Sequence, residues 1–167
     1  MPPAGPPGLS TVMPPAELIG KLLNPMLGRA VTVNKVPYAQ LDLSEPATVG
    51  VYERDTGMIA AACLCDLELS AYLGAALVLA PQGSAEDAID AGALPEILLD
   101  GHREIVNVAS RLFNRMNRPH VKLRELFTTP CHLPRDVANL LNGPAERLQV
   151  EVDVDGYGTG VLQLVVG

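Results

Sequence analysis

The chain has 167 residues, 48% of them hydrophobic, so it is long enough to bury a substantial core as a single domain. Its net charge of −7 and isoelectric point near 4.8 argue against a nucleic-acid partner or an anionic membrane surface. No apolar run reaches the roughly 20 residues that a membrane-spanning helix needs. The N-terminus lacks the basic and apolar segments of a secretion signal. These features predict a cytoplasmic protein.

The three cysteines, an odd number, argue against a disulfide framework. Cys63 and Cys65 lie in an apolar, strand-like run, where alternation places both side chains on one face, and we expect both to pack in the core. A Cys-x-Cys pair can also bind metal, but no second pair accompanies it. Neither Cys131-His132 nor His120 has the spacing of metal ligands. The sequence therefore predicts no metal site.

Turn residues and hydrophobic periodicity divide the first half of the chain into a proline-rich tail followed by a helix, three strands, a second helix and a loop. Asp55-Thr56-Gly57 is a typical hairpin turn, and Asp66 precedes the second helix as its expected N-cap. The predicted boundaries are 1–14 for a disordered tail, 15–28 for the first helix with its end at Pro25 or Gly28, 29–36, 47–54 and 58–65 for the strands, 67–79 for the second helix and 81–92 for the loop.

The second half starts with a longer helix and shares with the first half the order of a helix, a strand, a connection and a hairpin. The segment 156–160, Gly-Tyr-Gly-Thr-Gly, superficially resembles a dinucleotide-binding loop, but no helix follows it, so we interpret it as a hairpin turn. The predicted boundaries are 94–116 for the long helix, 121–128 for a strand that Pro130 ends, 134–141 for a short helix, and 148–154 and 160–166 for a closing hairpin. The matching outlines of the two halves suggest an internal duplication.

Polar side chains collect on one side of the predicted long helix. Asp100 and Glu104 are four residues apart and Glu104 and Asn107 three apart, so all three share a face, and 22 residues separate Asn107 from Pro130. Taken alone, this pattern fits an ordinary solvated helix face. A carboxylate beside an amide can position a water molecule but can do little more, which suits a substrate that is already reactive.

An apolar stripe runs along the other side of the same helix. Gly101 costs such a helix up to about 1 kcal/mol relative to alanine; it either lets another surface approach closely or is a tolerated defect. The predicted core face is Leu98, Ile105, Val108, Ala109 and Leu112, and the predicted polar face is Asp100, Arg103, Glu104, Asn107, Arg111 and Asn114.

The full pattern, Asp-x3-Glu-x2-Asn-x22-Pro, resembles the signature of the CheC/CheX/FliY chemotaxis phosphatases. The resemblance implies an α/β (α+β) fold over residues 15–167, in which a duplicated alpha-beta-x-beta-beta unit packs long helices on a mixed β-sheet. In the first half, Glu17 takes the glutamate position, but Gly20 and Met13 replace the other two signature residues. A single signature in the second half is similar to the CheX arrangement.

The resemblance also implies an activity, which is hydrolysis of the aspartyl phosphate on the receiver domain of a response regulator such as CheY in two-component signalling. Asn107 would orient the attacking water, and Glu104 would engage a lysine of the receiver. The receiver would supply Mg²⁺, so the chain would need no cofactor of its own. A cytoplasmic homodimer is the expected assembly.

The remaining signature and neighbouring residues have expected supporting roles. Asp100 would support the helix, with Arg103 or a cation of the partner close by, because its spacing from Glu104 is mildly unfavourable for two like charges. Pro130 ends a strand and is expected to be architectural. Arg103 and Arg111 are the expected partner-binding residues, although Arg111, four residues after Asn107, would either block docking or contact phosphate.

Two other functions remain open from the sequence. The chemotaxis and flagellar-switch superfamily includes non-catalytic modules, so the chain would then bind a receiver or another partner without hydrolysing anything. A dimeric scaffold that keeps the signature as a relic would bind no receiver at all.

Overall fold

The computed structural model describes residues 10–115 and 118–167. Most of the predicted tail, residues 1–9, lies outside this part of the chain, whereas Thr11 and Pro14 within it are buried. The helices are α1 (Glu17–Leu27), α2 (Leu67–Leu77), α3 (Gln82–Ala91), α4 (Glu96–Val108) and α5 (Arg135–Asn142), and a 3₁₀ turn, Ala109–Leu112, continues α4. The strands are β1 (Val31–Val36), β2 (Ala47–Arg54), β3 (Ile59–Asp66), β4 (Val121–Thr129), β5 (Glu146–Val154) and β6 (Gly158–Val166). None of the helices in the described ranges has the length and apolar character needed to cross a membrane.

The strands form one sheet in the order β1-β5-β6-β3-β2-β4. Every pairing between described strands is antiparallel, so the α+β fold class is confirmed with an antiparallel sheet in place of the expected mixed one. Exchanging β1, β2 and β3 for β4, β5 and β6 gives the same strand order, read from the opposite edge of the sheet. The first strand of each half lies at an edge beside the hairpin of the other half, and β3 and β6 meet in the centre. A duplicated unit related by a pseudo-two-fold axis produces this arrangement.

Two asparagines repeat the same contact in the two halves. The Val31 N–H donates to Asn24 Oδ1 (2.6 Å), and the Val121 N–H donates to Asn114 Oδ1 (2.7 Å). In each half the asparagine precedes the bonded strand residue by seven positions. Both side chains therefore satisfy the first backbone donor of an edge strand.

These asparagines also fix which helix residues correspond. Counting back by the same number of residues from Asn24 and Asn114 pairs Glu17 with Asn107. The predicted match of Glu17 with Glu104 is therefore displaced by three residues. At the position equivalent to Asn107, the first half has a carboxylate instead of an amide.

Both faces of the sheet are covered. The helices α1, α2 and α4 pack on one face, and α5 packs on the other together with Leu41 and Leu43. Along β3, Cys63 and Cys65 face the first helical layer, whereas Leu64 faces α5. Burial on both faces explains why β2 and β3 have continuous apolar runs in place of alternation. The prediction that both cysteines are core residues is confirmed.

The prediction of a loop over 81–92 is wrong, because most of this segment forms α3. Ala85 and Ala88 are buried one turn apart and pack in the main core, while the acidic side chains of α3 are exposed. Gly92 ends the helix at φ 71°, and its N–H bonds to the carbonyls of Ala88 and Ile89. The glycine and aspartate content suggested a loop, but alanine is the strongest helix former and fits close to a neighbouring helix.

The predicted helix over 94–116 is too long. α4 ends at Val108 and the 3₁₀ turn at Leu112, while Met116 lies outside the described residues. Beyond the turn, Asn114 bonds to both the N–H and the C=O of Val121. Its amide therefore holds the start of β4 and does not belong to the exposed face that the sequence predicted.

Helices α2 and α4 approach each other through two glycines. A Cβ added at Gly74 would lie 2.2 Å from the Leu98 carbonyl oxygen, and one added at Gly101 would lie 2.8 Å from the Gly74 carbonyl oxygen. Both distances are shorter than any real Cβ contact. Of the two explanations for Gly101, close approach of another surface is the one that the packing supports.

Replacing Gly74 by alanine is expected to lower the free energy of unfolding by about 1–3 kcal/mol, because the new methyl group must displace the backbone of α4. Gly83 on α3 is the matched control, since a Cβ there meets nothing within 4 Å. Gly83→Ala is expected to leave stability unchanged or raise it by less than about 1 kcal/mol. Urea denaturation of the two variants measures both effects, and equal losses would contradict the close packing.

Candidate functional site

The structure places Asp100, Glu104 and Asn107 on the exposed side of α4. The helix begins after Pro95, which suits the first turn, and its buried stripe fixes which side faces solvent. The buried residues of the helix are Leu98, Gly101, His102, Ile105 and Val106. The sequence-predicted polar face of α4 is thus presented to solvent as one surface.

Asp100 and Arg103 form an ion pair within this surface. Arg103 Nη1 lies 2.6 Å from Asp100 Oδ1, and both side chains are about half exposed. The prediction that Arg103 lies beside Asp100 is confirmed. Because solvent screens such a pair, it contributes less than about 1 kcal/mol to stability. Its main effect is to compensate the negative charge of Asp100, which lies one turn before Glu104.

Glu104 and Asn107 are free to meet a partner. Neither side chain makes a hydrogen bond or ion pair with any other residue of 10–115 or 118–167. They stand three positions apart on one helix face, where side chains are neighbours. The result is an acceptor carboxylate beside an amide that both donates and accepts, with both directed at solvent.

Arg111 is exposed just beyond Asn107, in the 3₁₀ turn. A 3₁₀ turn has about three residues per turn, so Arg111 does not stack over Asn107 as it would in a continued α-helix. Pro130 follows the end of β4, where Thr129 and Leu99 line a cavity of about 170 Å³ beside the start of α4. Pro130 therefore directly follows a residue that lies beside the start of α4.

A buried chain of hydrogen bonds lies beneath α4. His102 is fully buried, and its Nε2 lies 2.9 Å from Thr48 Oγ1, which lies 2.9 Å from Ser70 Oγ. The Ser70 hydroxyl donates its hydrogen to the Asp66 carbonyl oxygen (2.8 Å). Thr48 must therefore donate to Ser70, and the His102 Nε2–H must donate to Thr48. The donor and acceptor in all three hydrogen bonds therefore follow from the bond between Ser70 and Asp66.

The protonation state of His102 agrees with this direction. Burial, with a smaller contribution from Arg103, lowers the pKa of His102 to about 3, so the ring is neutral at physiological pH. A neutral ring protonated at Nε2 has a bare lone pair at Nδ1. That nitrogen has no partner among the described residues, which is consistent with an unprotonated nitrogen.

Tyr52 makes a second buried bond to α4. Its hydroxyl donates to the Val106 carbonyl oxygen (2.6 Å), and its ring lies 5.2 Å from that of Phe113. In a continuous α-helix this carbonyl would accept from Ser110, but Ser110 lies in the 3₁₀ turn, whose bonds close one residue earlier. The change of helix type releases the carbonyl that Tyr52 then satisfies.

These inward-facing polar residues were not predicted from the sequence. His102 falls at the helical spacing of the apolar stripe, four positions after Leu98 and three before Ile105. A polar residue on a core face is the signal that would have found it, since a buried imidazole needs a partner. Nothing in the sequence identifies Thr48 as that partner, because it lies 54 residues away.

Asp66 caps α2 at the far end of the chain of hydrogen bonds, as predicted. One carboxylate oxygen accepts from the Leu69 N–H (2.8 Å) and the other from the Val161 N–H (3.1 Å). Burial raises the pKa of the carboxyl to about 6, with a smaller contribution from Glu68, and so outweighs these two donors. The described residues contain no cluster of three or more His, Cys, Asp or Glu side chains that could hold a metal ion.

No protein-family model and no curated protein matches the chain in sequence. Solved structures match its fold. The FliM middle domain from H. pylori has a TM-score of 0.61 and 8% identity, over 90% of this chain and 84% of that one. FliY from Thermotoga maritima has a TM-score of 0.57 and 13% identity, over 91% and 89% of the two chains. CheX from Borrelia burgdorferi, in a CheX–CheY–BeF3–Mg complex, has a TM-score of 0.52 and 11% identity, over 90% and 93%.

The chain therefore has the fold shared by CheX, FliY and the FliM middle domain. The fold that the resemblance implied is confirmed over nine-tenths of the chain. At these identities the likeness establishes the fold and leaves the activity to the side chains of the site.

The contribution of Asp66 to stability is expected to fall as pH rises from about 4 to 7, opposite in direction to that of the buried, neutral His102. The folded protein holds the Asp66 proton more tightly than the unfolded chain, so this contribution is present below the ordinary pKa of 3.8 and lost as pH rises through about 6. The difference corresponds to about 3 kcal/mol. Asp66→Ser keeps a capping oxygen and removes the titrating group. Urea denaturation of both proteins from pH 4 to 8 should show the wild type losing about this amount relative to the variant. A constant difference would contradict the raised pKa.

Proposed function

We propose that the protein is a phosphatase that hydrolyses the aspartyl phosphate of a response-regulator receiver domain. The observation that carries the proposal is the pair of unbonded, solvent-directed side chains, Glu104 and Asn107, on the exposed face of α4. This pair lies in the fold shared with CheX and FliY. A receiver that docks on this face would meet an amide and a carboxylate held one turn apart.

Asn107 would act on water. Its amide oxygen would accept a hydrogen bond from the water. This bond would orient the water so that a lone pair of the water oxygen points at phosphorus, in line with the bond to the aspartyl oxygen. The water oxygen bonds to phosphorus, the aspartate carboxylate leaves, and the water protons pass to phosphate or solvent because an amide is not a base. An acyl phosphate is already activated, and each tenfold of acceleration requires only about 1.4 kcal/mol. Ordering one water supplies a contribution of this size.

Glu104 would hold the receiver through a cation of the receiver, which the negative charge of residues 66–104 would also attract. Between residues 66 and 104 the chain has one guanidinium, that of Arg103, and it is already paired with Asp100. The carboxylates of this segment are Asp66, Glu68, Glu86, Asp87, Asp90, Glu96, Asp100 and Glu104. The exposed members of this set would attract a lysine in the phosphorylation site of a receiver.

The Borrelia neighbour supports a receiver as the partner, because its structure is a complex of CheX with CheY, BeF3 and Mg²⁺. In the proposed reaction the receiver would bring the Mg²⁺ to its own aspartyl phosphate. The metal would neutralise charge on the phosphoryl group, while the residues of this chain would orient water and hold the partner. The proposed compartment is the cytoplasm, and a homodimer stays a prediction that light scattering of the purified protein tests.

A non-catalytic interaction module is the second candidate. The FliM middle domain has the same fold, and its structures include complexes with FliG and with SpeE. The decisive difference is whether bound phosphorylated receiver loses its phosphate faster. Binding of the receiver with an unchanged phosphate lifetime would favour this candidate.

Asn107→Ala is expected to slow dephosphorylation of the cognate receiver by about tenfold or more, because the water loses its orienting group. Glu104→Ala should weaken binding of the receiver and slow the reaction as well. Both residues are exposed, so the thermal unfolding midpoint should not change. The assay follows loss of labelled phosphate from the receiver. Asn139→Ala, which removes an exposed amide on α5 across the sheet, is the matched control and should retain full activity. Full activity in the Asn107 variant would refute the assigned role.

Arg111→Ala is expected to raise KM for the phosphorylated receiver by about two- to fivefold, the range of a solvent-exposed ion pair, with kcat unchanged. The guanidinium is exposed and lies off the line of Asn107, so it can reach an anionic partner without covering the amide. The effect should shrink at high salt. Arg135→Ala on α5 is the control for loss of one exposed positive charge. A faster reaction in the Arg111 variant would show instead that the side chain blocks docking.

A further inference from the structure

We infer that Thr48 and Tyr52 of β2 are positioning residues for the proposed site, because their hydroxyl groups fix the rotation of α4 about its own axis and so aim Asn107 and Glu104. Neither residue touches the partner, since both are buried beneath the helix. The inference rests on the proposed function for its kinetic consequence. Its structural consequence, the rotation of α4, can be measured independently.

The two hydroxyls bind α4 at points that flank the site. Thr48 accepts from His102 (2.9 Å), and Tyr52 donates to the Val106 carbonyl (2.6 Å). His102 and Val106 are one helical turn apart on the inner face, with Glu104 between them in sequence. Asn107 follows Val106 directly, so the peptide group that Tyr52 holds is the one that joins Val106 to Asn107.

The other contacts of α4, including its close packing against α2, are less directional. Leu98 and Ile105 contribute apolar contacts, which are not directional. Gly101 contributes no side chain of its own where it meets the backbone of Gly74 and the side chain of Val78. The N-terminus of the helix receives no side-chain capping bond. Hydrogen bonds weaken steeply when bent, so the two bonds to β2 are the contacts that define an angle.

Both residues that make these bonds are buried. Thr48 is 2% exposed and Tyr52 is fully buried, with its ring against Phe113 just beyond the 3₁₀ turn. Without the Thr48 hydroxyl, the Nε2–H of His102 would have no acceptor in an apolar environment. The helix would then gain by rotating to relieve the unpaired donor.

A small rotation is enough to affect the proposed chemistry. A side-chain tip about 6 Å from the helix axis moves by about 1 Å when the helix turns by about 10°. A displacement of about 1 Å can reduce the rate of an oriented reaction by about a hundredfold. Binding of the receiver spreads over the whole exposed face and is less sensitive to the same displacement. A positioning role therefore predicts a loss in kcat with little change in KM.

The test uses the double variant Thr48→Val, Tyr52→Phe, which removes two hydroxyl groups and leaves the shapes of the side chains. With phosphorylated receiver, kcat should fall by about tenfold or more and KM should change by less than about twofold. Thr48→Ser with Tyr52 intact keeps both hydroxyl groups and should restore most of kcat. Tyr157→Phe is the matched control, because that hydroxyl also bonds a backbone carbonyl, that of Ala80, but does not contact α4. An equal loss of kcat in the control, or a rise in KM with kcat preserved, would overturn the inference.

A second measurement separates this inference from the proposed function. Residual dipolar couplings of the α4 amides vary periodically along the helix. A rotation of the helix shifts the phase of this variation between wild type and the double variant. A rotation of about 10° or more supports the positioning role even where wild type shows no phosphatase activity, a result that would refute only the proposed function. Unchanged couplings in α4 would overturn the positioning role whatever the activity. Where the double variant does not fold, Tyr52→Phe alone is measured in the same way.

Discussion

The contact between α4 and strand β2 is the constraint on which the candidate site depends. α4 has carboxylates on its outer side and a narrow apolar stripe on its inner side, so the helix is held in place by tertiary packing. Gly101 removes a side chain from that stripe and brings the backbone of α2 close. With so little side-chain packing at this point, the buried hydroxyl groups of β2 supply the directional part of the contact.

The sequence was sufficient for elements whose signals are local. The strand limits of β2 were predicted to the residue, because Asp55-Thr56-Gly57 is a clear turn and both flanking runs are rich in apolar residues. Asp66 marked the start of α2 through capping chemistry that requires only neighbouring residues. Of the two residues predicted to end α1, Gly28 ends it, whereas Pro25 lies inside the helix. α3 was missed because its buried side consists mainly of alanine, which gives weak hydrophobic periodicity although it packs well against another helix.

The site was predicted in part for the same reason. The spacing of Asp100, Glu104 and Asn107 is a property of one helix, and its exposed face could be deduced without tertiary information. The end of that helix could not, because Asn114 leaves it to bond with Val121 at the start of β4. The hydrogen-bonded layer beneath the helix joins segments far apart in the chain. A histidine on an apolar stripe indicates that a partner exists, and only the fold identifies that partner.

The pseudo-two-fold sheet explains how one half can hold the site while both halves remain necessary. β1 pairs with β5 and β4 pairs with β2, so the edge strand of each half is completed by the other half. Neither half can satisfy the backbone hydrogen bonds of its own edge strand alone, so the buried residues of both halves must be retained. The outer faces of α1 and α4 carry no such requirement. At equivalent positions they have Glu17 and Asn107, a carboxylate and an amide, and only the amide can both accept from a water and donate to a phosphoryl oxygen. A duplicated scaffold can thus keep its fold while, under the proposed function, a single exposed side chain would decide whether a bound acyl phosphate meets an oriented water.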